Sequence, residues 1–178
     1  SAGGDDLTAA YRRSSTDNVV SVDGRIVEIA ESDRGAPVEF TGRSEHGAVI
    51  NSADYTGRVY VVNFWYAACG PCRVEAPLLE EVWQEYEGDG VGFVGVNIYD
   101  QPATAISFAQ QYKITYPSVI DVDDGAVKLA FASSTPIQAT PTTLVMDRQG
   151  RVAARIIGQL PSASILSTLV DSVLAEQP

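Results

Sequence analysis

The chain has 178 residues, 45% hydrophobic and 20% charged, enough for one domain with a full core. A formal net charge of −11 without any basic cluster argues against a nucleic-acid surface, and no apolar run approaches the roughly 20 residues that cross a membrane. Two cysteines and one histidine are too few for a closed structural zinc site or a disulfide-stapled mini-protein.

Residues 1–17, SAGGDDLTAAYRRSSTD, are small and polar without periodicity. They are expected to form a flexible tail or a tether, with residues 18–178 as a single domain. The chain begins at Ser1 rather than Met, so a removed targeting segment or a trimmed start is expected. Val19 to Ala30 reads as two short strands about an Asp23-Gly24 turn. Pro37 to Thr41 and Gly47 to Ile50 read as a second hairpin around the loop GRSEH, in which His46 is a surface residue. Ser52 to Tyr55 is a short turn.

Val59 to Tyr66 is β-branched, aromatic and short, the signature of a strand buried on both faces. Cys69-Gly70-Pro71-Cys72 follows it. A helix is predicted over about residues 70–87, with Ala76, Leu79, Val82, Trp83 and Tyr86 at helical spacing and Gly88 and Gly90 ending it. The cysteine pair therefore sits where a strand turns into the first turn of a helix, and this is the redox reading of C-x-x-C.

Val91 to Ile98 is a second buried strand. Pro102 to Tyr112 is a helix with Ile106, Ala109 and Tyr112 as its apolar positions. Ser118 to Asp121 is a strand, Asp124 to Phe131 a helical turn or two, and Ser133 to Thr140 a loop leading into Pro141. Thr142 to Asp147 and Arg151 to Ile157 make a hairpin about Arg148-Gln149-Gly150. Ser162 caps a last helix to Leu174, with Ile165, Leu166, Leu169, Val173 and Leu174 on its apolar face. Strands joined through helices pair parallel and the late hairpin pairs antiparallel, so the class is α/β with a mixed sheet flanked by helices on both faces.

The segments VVNFWYAACGPCRVEAPLL, VGFVGVNIYD, TYPSVIDVD and ATPTTLVMDRQGRV together resemble the thioredoxin-like fold. Within it they resemble the TlpA/ResA-type thiol-disulfide oxidoreductases, which include cytochrome c maturation reductases. The likeness spans residues 36–176. It implies a central strand-helix insertion between Gly92 and Tyr116, and the hairpin over Val19 to Ala30 is then an N-terminal β-hairpin extension. It also implies a cis peptide at Thr140-Pro141 facing the cysteines and a glutamate, Glu75, beside the thiols. Such proteins work outside the cytoplasm, secreted or membrane-anchored, on disulfide-containing proteins such as apocytochrome c. They take electrons from a membrane thiol donor, with no organic cofactor or metal beyond the Cys69–Cys72 pair. Two positions depart from the pattern. Ala68 stands where most members have Trp, and Asn63 stands where thioredoxins proper keep an aspartate.

The thiolate is the reactive form of cysteine, with an ordinary pKa of ~8.5. Cys69 at a helix N-terminus meets unpaired N–H groups and the positive end of the helix dipole, so it is the expected attacking sulfur. Cys72, expected to lie deeper, resolves the mixed disulfide. Gly70 and Pro71 suit the first helical turn. Glu75 shares a helix face with Cys72, Ala76, Leu79 and Val82; burial there raises a carboxyl pKa, and the group can then exchange a proton with Cys72. The alternative for Glu75 is pairing with Arg73 or exposure to solvent. Substrate contacts are expected from Trp65, Gly70, Pro71, Thr140 and Pro141; the plainer reading of Trp65 is core. Two other functions stay open. A thiol peroxidase shares this fold, although it keeps Thr three residues before the reactive cysteine, where this chain has Tyr66. A copper(I) chaperone would use the two soft thiolates, with only His46 and Met146 to add.

Overall fold

A computed structural model describes residues 19–21 and 24–178; the expected tail over residues 1–17 and Asp23 of the first turn lie outside the described residues. Strands β1 (Val19–Val20) and β2 (Ile26–Glu28) pair antiparallel, with Gly24 between them in the left-handed region at φ +77°. β3 (Thr41–Arg43) and β4 (Val49–Asn51) form a separate two-stranded sheet. This corrects the expected hairpin, whose first strand was placed at Pro37–Thr41. Residues 37–40 lie outside any strand; Val38 and Phe40 are buried there, and the Val38 N–H reaches the Gly150 carbonyl at 2.8 Å.

A 3-10 turn over Ser52–Tyr55 leads to β5 (Tyr60–Trp65), whose residues are all buried. The helix α1 (Gly70–Tyr86) follows, then β6 (Gly92–Asn97), α2 (Pro102–Tyr112), β7 (Ser118–Ile120) and α3 (Ala126–Ala132). The hairpin β8 (Thr142–Met146) and β9 (Val152–Ile157) and the helix α4 (Ala163–Leu174) complete the chain. The Ser162 hydroxyl caps α4 by accepting the Ile165 N–H at 3.4 Å. The strand-helix insertion is present, but its second strand begins at Ser118, just beyond the expected limit of Tyr116.

The main sheet has the order β1-β2-β9-β8-β5-β6-β7. β5, β6 and β7 run parallel, joined through helices, while β8 is antiparallel to β5, which makes the sheet mixed. Alternation along β5 sends Val61, Asn63 and Trp65 to one face and Tyr60, Val62 and Phe64 to the other. On the first face Val61 packs with Leu79, Val82 and Tyr86 of α1 and with Leu166, Leu169 and Val170 of α4. On the second, Tyr60, Val62 and Phe64 pack with Phe40, Ile50, Val127 and Phe131. Each fully buried large side chain of this kind contributes about 1.5–3 kcal/mol. The face of α2 is turned relative to expectation. Ala105 and Phe108 are its buried residues, and Ile106, Ala109 and Tyr112 are half-buried.

The outer edge of β7 is occupied. Ser44 bridges Val119, the Glu45 N–H reaches the Ser118 carbonyl at 3.1 Å, and the Glu45 carboxylate accepts the Ser118 N–H at 2.7 Å. Gly42 permits this approach, since a Cβ there would collide with Cγ1 of Val119.

Candidate active site

β5 ends at Trp65, and a turn over Tyr66, Ala67 and Ala68 delivers Cys69 to the N-cap of α1. Cys69 and Cys72 are joined as a disulfide, with Cα atoms 5.2 Å apart. The Cys69 Sγ accepts the Cys72 N–H at 3.2 Å, so the sulfur occupies the place of a capping oxygen. Exposure is 4% at Cys69 and 3% at Cys72, so the expected difference in depth is small. The N-cap position is what separates the two sulfurs. Gly70 and Pro71 form the exposed first turn between them.

The turn ahead of Cys69 is held from two sides. Its Ala67 N–H donates to Asp100 Oδ2 at 2.7 Å, and its Ala67 carbonyl accepts from Arg73 Nε at 2.9 Å. The Thr140-Pro141 peptide is cis, and the Thr140 carbonyl oxygen lies 3.8 Å from Cys69 Sγ. β8 starts at the next residue, Thr142, so the sheet itself fixes where that carbonyl stands. Trp65 is corrected from the expected substrate contact to core. It is 7% exposed, packs on Phe108 with ring centroids 4.4 Å apart, and donates Nε1–H to Ser118 Oγ at 3.0 Å.

Glu75 is fully buried, at 0% exposure, one turn after Cys72 on α1. Its Oε2 accepts from Asn63 Nδ2 at 2.8 Å and its Oε1 accepts the Leu160 N–H at 2.9 Å. Burial pushes its pKa up to about 7, against the two hydrogen bonds, which favour the carboxylate and lower it. Neither alternative for Glu75 is realised: it is not exposed, and Arg73 is directed at Ala67 instead. Burial and the nearby Glu75 and Glu80 charges keep the Tyr116 phenol protonated. His46 is 70% exposed at its side chain, in the β3–β4 turn. Among the described residues no group of three His, Cys, Asp or Glu side chains is arranged to hold a metal.

Two acidic residues were missed by sequence reasoning. Glu80 is buried, accepting the Thr115 N–H at 2.8 Å and the Thr115 hydroxyl at 2.7 Å. It flanks the apolar stripe, but as half of a Glu80-Glu81 pair it reads as solvated. Asp100 lies in the β6–α2 connection; its three-residue spacing from Asn97 is the one local signal of a turn.

The arrangement suits thiol-disulfide exchange. A reduced Cys69 thiolate at the helix N-terminus is stabilised by the Cys72 N–H and the helix dipole. One turn after Cys72 on the same helix, Glu75 carries a carboxyl whose pKa of about 7 lets both of its protonation states exist near neutral pH.

Comparison with known proteins agrees with this geometry. The chain is 30% identical over 112 residues to the thiol-disulfide oxidoreductase ResA of Geobacillus thermodenitrificans, covering 63% of this chain and 62% of that protein. The matched region thus spans less than two thirds of that relative's length. A DsbF homologue from Corynebacterium diphtheriae superposes with a TM-score of 0.72 at 31% identity, over 83% of this chain and 92% of that one. A secreted thiol-disulfide isomerase from Corynebacterium glutamicum gives 0.72 at 29% identity, over 88% and 98%. The Redoxin family model matches residues 30–170, most of the chain and the whole of the site, so the chain belongs to the Redoxin family, on a thioredoxin-like fold.

Proposed function

We propose that the chain is a thiol-disulfide oxidoreductase acting outside the cytoplasm, mainly as a reductant of disulfides in exported proteins such as apocytochrome c. The observation that carries this reading is the placement of Cys69 Sγ. It caps α1 by accepting the Cys72 N–H at 3.2 Å and stands 3.8 Å from the Thr140 carbonyl, and the buried Glu75 lies one turn after its partner cysteine on α1. The ResA relative supports the reaction class, and the secreted isomerase supports the location.

In the dithiol form the Cys69 thiolate attacks one sulfur of a substrate disulfide. The substrate S–S bond breaks, its departing sulfur takes up a proton, and a mixed disulfide with Cys69 remains. The Glu75 carboxylate takes the proton of the Cys72 thiol, and Cys72 Sγ attacks Cys69 Sγ. The second substrate sulfur leaves reduced, the Cys69–Cys72 disulfide forms, and two electrons have passed to the substrate. The exposed Gly70-Pro71 turn and the Thr140 carbonyl contact the substrate backbone around the sulfur under attack. A thiol donor of the membrane returns the pair to the dithiol. The cysteine pair is itself the redox group, so the cycle needs no organic cofactor or metal.

The reduction potential tests the direction of the reaction. A value near that of thioredoxin, ~−270 mV, supports the reductant reading, and a value near that of DsbA, ~−120 mV, sinks it. Trapping tests the roles: Cys72→Ser should hold a substrate on Cys69 as a mixed disulfide. If Cys69→Ser traps instead, the nucleophile is Cys72.

A further inference from the structure

Position 68 is alanine, so the residue immediately before the attacking cysteine offers a partner no large side chain. Aromatic surface is nevertheless present beside it. Tyr99 is 71% exposed, and its ring centroid lies 5.8 Å from that of the half-buried Tyr66 at 51° between planes. Tyr66 belongs to the turn that delivers Cys69, whose N–H donates to the Tyr66 carbonyl at 3.3 Å.

The topology puts this pair on a substrate's path. β5 lies between β8 and β6, so the turn before Cys69 is flanked by the Thr140-Pro141 segment entering β8 and by the Ile98–Asp100 segment leaving β6. A polypeptide reaching Cys69 Sγ crosses between them. Both ring-bearing segments are fixed in advance. Asn97 Oδ1 accepts the N–H groups of Tyr99 at 3.1 Å and of Asp100 at 2.7 Å, and Asp100 in turn accepts the Ala67 N–H. Fixed contact groups lower the ordering cost of binding. The charged neighbours Asp100 and Arg73 are both engaged with Ala67, and the paired rings offer an apolar contact surface beside the exposed Gly70-Pro71 turn.

The geometry points to Tyr66 and Tyr99 as a substrate-contact surface that takes a large apolar or aromatic side chain flanking the cysteine under attack. This rests on the oxidoreductase reading and adds to it the class of disulfide preferred. Aromatic pairs stack offset or edge-to-face, and the tilted Tyr66–Tyr99 pair leaves ring surface free for a third partner.

The test uses pre-reduced protein in single turnover with disulfide-bridged peptides that differ only beside the attacked cysteine, carrying Phe, Ser or Lys there. Wild-type protein should react faster with the Phe peptide than with the Ser peptide. Tyr99→Ala should lower that Phe/Ser rate ratio about threefold to tenfold, and Tyr99→Phe should retain it. An unchanged ratio in Tyr99→Ala overturns the surface, even if both rates fall together. A wild-type preference for Lys over Phe overturns its apolar character. Wild-type protein that reduces none of the peptides overturns the oxidoreductase reading itself.

Discussion

Asn63 donates its Nδ2–H to Glu75 Oε2 across 2.8 Å, joining the middle of β5 to the second turn of α1 behind the cysteines. The amide gives the buried carboxyl a neutral partner, and a second Asn63 bond, to Thr143 Oγ1 at 3.1 Å, ties it to β8. Burial raises the carboxyl pKa while the hydrogen bonds from the Leu160 N–H and Asn63 lower it, and burial prevails, leaving the group at about 7.

Replacing Glu75 by Gln should therefore slow the attack of Cys72 on the mixed disulfide about 100-fold near pH 7. In wild-type protein that step should rise with pH around a midpoint of about 7, and the variant should lack this limb. Stopped-flow release of a labelled peptide measures it; a variant profile identical to wild type would remove Glu75 from the mechanism.

Glu75 also links stability to pH. Its pKa moves from 4.5 to about 7 on folding, so the folded chain holds a proton that the unfolded chain has released between those values. The contribution is complete below about pH 4.5, declines as pH rises through about 7, and is absent above it. Its size is on the order of 3 kcal/mol. Denaturant unfolding at pH 5 and pH 8 should give a decline in wild type that Glu75→Gln lacks. Equal declines in both would assign the pH dependence to other groups.

Asn63→Ala removes a donor that favours the Glu75 carboxylate. The midpoint of the resolving step should move upward from about 7. A downward movement would mean that the Asn63 bond does not stabilise the charged form.

Asp100→Ala deprives the Ala67 N–H and Asn97 Nδ2 of their acceptor, at 2.7 and 3.0 Å in the structure. Leaving such part-buried donors unmet costs about 1–3 kcal/mol. Chemical unfolding should register that loss together with slower reaction of peptide disulfides. An unchanged unfolding midpoint would show that water replaces the carboxylate.

Much of this architecture was legible in the chain. The run Val59 to Tyr66 has no polar alternation because β5 is covered on both faces, and the Pro102 start and the Ser162 cap mark helices that begin where those residues stand. The misplaced hairpin strand has a physical cause. Val38 and Phe40 alternate like strand residues but fill the core from a segment outside any strand. The face of α2 was misread because Ile106 outranks Ala105 in hydropathy, whereas close packing beside Phe108 and Trp65 requires the smaller residue inside. Within the site, Glu75 could be inferred from its apolar neighbours on α1. The bond from Leu160 could not, since 85 residues separate the two and only the folded sheet brings them together.

The capped edge of β7 bears on how a substrate can be gripped. With Ser44 and Glu45 already occupying its backbone groups, that side of the sheet offers no ladder on which a guest strand could extend. On that side, recognition falls to the few groups around Cys69 and not to a long extended register. A protein built this way would judge a client by the immediate neighbourhood of its disulfide, which suits clients that share a cysteine environment and little other sequence.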